Sequence, residues 1–254
     1  MTIVLSKRRH AGIIGFSIRL KKFMVPSTPR AAVAPRKPRK AGPSLAMKKQ
    51  PAQQRAAETF ELILEITAET LADVGIDRLS TNLVCERAGL SPPALYRYFP
   101  NKYAILYELG RRLMLRQNEL IPHWITQEVL TGPREAIQVA LEGLLLDTFR
   151  VTKETAAGVW ITRALRAVPA LAQVRLESHE EVAQTNAALL SSVFPHTDED
   201  ELRIVSRVSV ELIYAAVEML FDELPIDIHS VAHVVSSMVA SYLDRVKDAP
   251  DIAQ

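Results

Sequence analysis

From about residue 52 onward, apolar positions recur at helical spacing. Phe60, Ile63, Leu64, Thr67, Ala68 and Leu71 fall at i, i+3, i+4, i+7, i+8 and i+11, a continuous stripe that predicts a helix over 52–74. Gly75 is placed to end it as a left-handed residue past the last turn. Ser80 can cap a second helix over 81–88, closed by Gly89, and Ser91 can cap a third. Pro92 and Pro93 would then occupy the first two helical positions, where a missing N–H costs nothing because those donors have no intrahelical acceptor. This third helix should end near residues 99–100, and Asn101 can cap a fourth that reaches about residue 119. Beyond Pro122 the helical pattern continues in pieces over 133–150, 154–167, 169–193, 198–222 and 229–247, with no internal repeat.

The last two pieces are apolar over a broad arc. Leu202, Val205, Val208, Leu212, Ala215, Ala216, Met219 and Leu220 lie on one, and Val231, Val234, Val235, Met238, Val239 and Leu243 on the other. Faces this wide suit packing against a second copy of the chain as well as against its own core. Helix-favouring residues are plentiful, glycines number only nine, and alternating β-branched runs are hard to find, so the expected fold class is all-α. With 254 residues, 48% of them hydrophobic, the chain can bury a sizeable core. Cys85 is the only cysteine, which excludes an internal disulfide and fits a reducing, cytoplasmic setting.

Charge divides the chain sharply. Residues 1–50 hold 13 of the 31 basic residues and no acidic one, while the rest carries 18 basic against 29 acidic groups. The six prolines from Pro26 to Pro51 break any long helix, so 1–51 reads as a disordered basic arm suited to a polyanion. Translation starting at Met24 or Met47 would shorten or remove it. The apolar run within 11–18 is too short for a membrane span, and no cleavage site follows it, so no membrane partner is expected.

Two short helices joined by a glycine turn, after a longer helix, form a helix-turn-helix. The second short helix would enter a major groove of double-stranded DNA. Leu95 and Phe99, four apart, would point inward, leaving Pro93, Ala94, Tyr96, Arg97 and Tyr98 for DNA. Thr81 and Asn82, at the start of the preceding helix, suit a phosphate, and Lys102 can pair with another.

The run over 56–109 also resembles the DNA-binding domain of the TetR family of bacterial repressors. The resemblance rests on the helix ending at Gly75, the Ser80-Thr81 entry, the Ala88-Gly89-Leu90-Ser91 turn, and Leu95-Tyr96-Arg97-Tyr98-Phe99-Pro100-Asn101-Lys102. It implies phosphate contacts from Thr81 and Tyr96, base-edge positions for Asn82, Pro93, Ala94 and Arg97, and DNA-backbone contacts from Tyr98 and Lys102. Ala94 stands where serine or threonine is common, Tyr98 where histidine is frequent, and Tyr103 where an acid is usual. The resemblance further implies a head over 52–100 and a helical effector-binding and dimerisation domain over 101–247, followed by a flexible tail over 248–254. Within that second domain, Trp124, Phe149, Trp160, Arg163, His179 and Tyr214 are the candidates for a small-molecule effector pocket. Arg163 and His179, if buried, would need an anion or a hydrogen-bond partner, which an acidic ligand could supply.

Other chemistry is thinly represented. His229 and His233 stand i, i+4 on a predicted helix, with His196, Asp198 and Asp200 as further ligands only if folding brings them near, and no metal is expected. No nucleophile elbow, phosphate loop or dinucleotide fingerprint occurs, so neither enzyme activity nor a cofactor is expected. The resulting expectation is a homodimeric, ligand-responsive repressor on a pseudo-palindromic operator, dimerised mainly through 198–222 and 229–247. The alternative is a non-specific architectural DNA-binding protein driven by the basic arm.

Overall fold

The computed structural model describes residues 43–45, 47, 54–222 and 226–247. The chain divides into two compact units, 1–41 and 42–254, and the first lies outside the described residues. Most of the expected arm, and the expected tail over 248–254, therefore lie outside them too. Residues 43–45 and 47 of the arm do not. The Ser44 carbonyl accepts a hydrogen bond from Asn101 Nδ2 at 2.9 Å, and Leu45 and Met47 pack half-buried against the core. The expectation of a free arm through residue 51 is thus corrected at Ser44, Leu45 and Met47, where the two apolar side chains gain by covering exposed core.

The described residues of the second unit form eleven helices and no strand: α1 (Gln54–Arg78), α2 (Thr81–Ala88), α3 (Pro92–Tyr96), α4 (Lys102–Asn118), α5 (Ile121–Trp124), α6 (Gln127–Thr131), α7 (Arg134–Glu154), α8 (Gly158–Ala167), α9 (Ala172–Val193), α10 (Glu199–Leu220) and α11 (Ile228–Lys247). The stripe from Phe60 to Leu71 is the buried face of α1. At Gly75 the backbone turns with φ 73° and ψ 174°, and helical geometry resumes for the last turn of α1. The positive φ was expected, but the conformation is not the left-handed helical one. It lies in a region essentially reserved for glycine. Asn101, Thr126 and Asp198 cap α4, α6 and α10 by accepting the amide N–H three residues on.

The boundary between α7 and α8 is among those that differ from the sequence expectation. The α7 helix runs to Glu154, past the expected end at 150, and α8 begins only at Gly158. Between them Ala157 adopts φ 54°, and a Cβ on Gly158 would lie 2.0 Å from the Thr152 carbonyl oxygen. The absence of a side chain there lets α8 start directly against the end of α7. The short helices α5 and α6 had no separate expectation.

Packing is continuous across residue 100. One core cluster joins Phe60, Leu71, Leu95 and Phe99 of the first three helices to Ile105 and Leu113 of α4 and to Leu165, Val182 and Tyr214 behind them. A second cluster holds α6, α7, α9, α10 and α11 together through residues such as Leu130, Leu144, Leu190, Leu202 and Leu243. The α4 helix, through the first cluster, joins α1, α2 and α3 to α8, α9 and α10. Its Glu108 is buried between Arg111 and Arg112, and Arg112 also pairs with Glu61 of α1 in a bidentate arrangement at 2.6 and 2.8 Å.

Candidate functional site

The α2–α3 platform is built from local rules. Ser80 Oγ accepts the Leu83 amide at 3.1 Å to start α2, and Gly89 closes it in the left-handed conformation at φ 63°, ψ 28°. The Ser91 hydroxyl makes no capping bond, contrary to expectation. Two prolines leave only the Ala94 amide to be capped, and the Ser91 carbonyl takes it at 2.9 Å. The regular part of α3 stops at Tyr96, earlier than expected, yet the Arg97 and Phe99 amides still donate to the Pro93 and Leu95 carbonyls. Leu95 and Phe99 are fully buried, and Phe99 stacks on Phe60 with ring centroids 5.0 Å apart. These two anchors fix the outward direction of the rest of the helix.

On the outer surface lie Asn82, Pro93, Tyr96 and Arg97, with Thr81 and Ala94 half-buried beside them. Tyr96 is 39% exposed, and its hydroxyl shares a 2.9 Å hydrogen bond with Thr81 Oγ1. The two residues expected to meet phosphates thus come together, with spare acceptor and donor capacity at the surface.

Two expected DNA contacts are placed elsewhere. The Tyr98 ring is only 4% exposed and meets Phe60 edge-on at 6.0 Å, so its bulk serves the core. Its position three residues after Leu95 puts it on the inward arc of the turn. The Lys102 ammonium donates to the Ile76 carbonyl at 3.1 Å and the Leu79 carbonyl at 2.9 Å. The end of α1 at Arg78 leaves those carbonyls without helical donors, and Lys102 supplies them. Cys85 is buried in the same core, and burial pushes its thiol pKa up, away from reactivity.

The six effector-pocket candidates do not converge. Trp124 packs against α7 at Gly143, where a Cβ would lie 2.3 Å from the ring, and its Nε1 donates to Asp147 at 2.9 Å. Phe149 stacks on Phe221 at 4.5 Å. Trp160 is partly exposed beside Gly75, with Arg163 over its ring, and Arg163 donates to the Phe221 carbonyl at 2.8 Å. His179 is buried, stacked on Tyr214 at 4.3 Å, with Nδ1 3.2 Å from Glu211. Burial holds its pKa below the usual imidazole value, against the opposing pull of Glu211. Tyr214 alone of the six lines the interior cavity, which measures about 60 Å³ and lies among α4, α7, α9, α10 and α11. Arg163 instead borders a separate polar recess with Arg166 and Glu218.

The cavity-lining residues Gln117 and Ser206 were missed in the sequence. Their signal was a polar residue inside an apolar phase: Gln117 follows Leu106, Gly110 and Leu113, and Ser206 sits between Leu202 and Val210.

On α10 and α11 the apolar arc divides. Leu202, Val205, Val239 and Leu243 face the core, while Ile204, Val208, Leu212, Met219, Val234, Met238 and Tyr242 are exposed. His233 Nδ1 lies 3.0 Å from Glu142 on α7. Among the described residues, no three of His, Cys, Asp and Glu are grouped so as to hold a metal ion, and no helix is long and apolar enough to cross a membrane.

Residues 63–109 match the family described as bacterial regulatory proteins, tetR family. Over these residues the chain is similar to the TetR family. The tetracycline repressor protein class C of Escherichia coli is 39% identical over 54 residues, 21% of this chain and 25% of that protein. An uncharacterised HTH-type transcriptional regulator of Mycobacterium bovis is 29% identical over 89 residues, 35% of this chain and 45% of that one. The match thus spans about a quarter to under half of these curated relatives. Among solved structures, a TetR-family transcriptional regulator from Streptomyces coelicolor aligns with a TM-score of 0.50 at 27% identity, covering 74% of this chain and 99% of that one. A TetR-like transcriptional regulator from a Rhodococcus species aligns at 0.52 and 19% identity, over 77% and 99%. The head is the part that the family match reaches, and the helical body behind it shares the fold of these solved structures.

Proposed function

We propose that this TetR-family chain is a sequence-specific DNA-binding transcriptional regulator, a ligand-responsive repressor that acts as a homodimer on a pseudo-palindromic operator. The observation that carries the reading is the outer surface of α2–α3. Asn82, Pro93, Tyr96 and Arg97 are presented on a helix pinned by Leu95 and Phe99, and Thr81 and Tyr96 are already bonded to each other. A side chain set this way can reach base edges, while the Thr81–Tyr96 pair meets phosphate. The exposed apolar residues of α10 and α11 support a second copy at that face, which would hold two heads about 34–36 Å apart for successive major grooves. A ligand favouring another head spacing would lower DNA affinity, and linkage requires DNA to lower ligand affinity by the same factor.

The test is affinity for the gene's own upstream region against a random duplex across a salt series. Tight binding to the upstream duplex alone, lost in Arg97→Ala, supports a sequence-reading head. Equal binding to both duplexes with a steep salt slope favours the architectural reading, driven by the 13 basic residues of 1–50.

A further inference from the structure

We infer that the interior cavity selects a neutral, largely apolar small molecule bearing a hydroxyl group, whose proton goes to Gln117 Oε1. This deepens, and rests on, the ligand-responsive reading above. The hydrogen-bond chain around Gln117 fixes the polarity of the site. Thr152 Oγ1 has one proton and donates it to the Thr148 carbonyl at 2.7 Å. It therefore accepts from Gln117 Nε2, also at 2.7 Å. The amide orientation follows, and Gln117 Oε1 is left as an acceptor with no protein partner, on a side chain only 2% exposed. Ser206 Oγ, equally buried at 2%, is likewise unpartnered on the opposite helix α10.

Of the other polar groups of the wall, Asn186 and Ser209 are half-buried, and two more are committed. Tyr214 donates its hydroxyl to Asn118 Oδ1 at 2.9 Å, and Thr148 donates to the Leu144 carbonyl at 2.7 Å. The rest of the wall is mainly aliphatic, including Ile137, Leu141, Leu144, Leu190 and Val210. No lining residue carries a charge. A carboxylate or ammonium brought here would be desolvated without a counter-charge, a cost far above any hydrogen bond it could form. The acidic ligand expected from Arg163 and His179 is thereby replaced by a neutral one. A buried acceptor without a donor costs free energy, so a ligand that supplies the donor gains over an isostere that cannot. At about 60 Å³ the cavity is several times the roughly 10–15 Å³ that one water needs, so it has room for a compact molecule.

The experiment is calorimetry on the full chain with four probes: phenol, cyclohexanol, fluorobenzene and benzoate. Phenol or cyclohexanol should bind roughly tenfold tighter than fluorobenzene, and benzoate should not bind measurably. Gln117→Leu should erase the preference for the hydroxyl while retaining fluorobenzene. If that variant does not fold, Ser206→Ala serves, with a reduced preference expected. Equal affinity for phenol and fluorobenzene, tightest binding of benzoate, or no binding by any probe overturns the inference. Operator affinity is measured separately with the tightest probe at saturation. Selective binding that leaves DNA affinity unchanged would uphold the cavity chemistry and overturn the ligand-responsive reading. Loss of DNA affinity without hydroxyl preference would do the reverse.

Discussion

The head and the body of this protein place their polar side chains in opposite directions. On α2–α3, the buried positions are apolar, Leu95 and Phe99 above all, and the polar ones face solvent. In the body, α4 and α10 turn Gln117 and Ser206 inward, each with an unpaired polar atom. A surface constellation of this kind adds little strain to the fold, because water satisfies whatever the side chains leave unmet. An interior one lowers stability until something binds, because a buried unmatched donor or acceptor costs about 1–3 kcal/mol. The two regions should therefore answer substitution with different signatures: function lost at constant stability in the head, stability gained with selectivity lost in the body.

The largest expected effect tests whether the head depends on its two anchors. Phe99→Ala removes a fully buried ring stacked on Phe60 and should cost about 3–5 kcal/mol in chemical denaturation. Because the core is continuous through α4, the loss should appear in the whole transition. A separate early transition confined to the head would show that the two parts are energetically independent.

Next in size is the junction between them. Burial works to raise the Glu108 pKa, but hydrogen bonds from Arg111 and Arg112 outweigh it and hold the carboxyl below its usual range. A carboxyl depressed on folding stabilises above the unfolded value, near 4.5, and that contribution is lost as pH falls through the lower folded value. Denaturation midpoints should thus drop below about pH 4.5 partly on account of this group. Glu108→Gln should cost about 2 kcal/mol at neutral pH and flatten that part of the acid limb. An unchanged acid limb would remove Glu108 from the linkage between head and body.

Arg97 and Lys102 sharpen the head's own division of labour. Arg97 is exposed, so Arg97→Ala should change stability by less than about 0.5 kcal/mol while costing DNA binding about 1–3 kcal/mol. Lys102→Met should instead lower stability by roughly 1–2 kcal/mol, because the Ile76 and Leu79 carbonyls lose their donor. Its effect on DNA should be secondary. Equal stability losses for the two variants would collapse the distinction between scaffold and reading surface.

Much of the head was legible because its signals are local. A serine before an apolar run, a glycine after it and two prolines at a helix start each act within a few residues, and α2 spans the residues expected of it. Tyr98 and Lys102 were misplaced for a tertiary reason. Whether a tyrosine faces Phe60 or solvent, and whether a lysine meets a phosphate or two carbonyls at the end of α1, depends on where α1 ends in space. The body's cavity was illegible for the same reason in stronger form. Aromatic residues drew attention, yet Trp124 is held by Gly143 and Asp147, and Phe149 by Phe221. Gln117 and Ser206 were visible only as polar interruptions of an apolar phase, and no single helix shows that two such interruptions border one cavity.

The smallest effect has the most informative sign. Ser206→Ala deletes one oxygen from a site with no protein partner for it. If the cavity is dry without its ligand, the variant should be more stable by about 0.5–1 kcal/mol, since a desolvated hydroxyl is removed and almost no packing is lost. If ordered water already bridges Ser206 and Gln117, the same change should destabilise by a similar amount, because the water loses a partner. A thermal unfolding comparison, made before any ligand is added, reads that sign directly. Stabilisation would mean that the interior is held ready for a hydroxyl brought by a ligand, and destabilisation that solvent already fills the role.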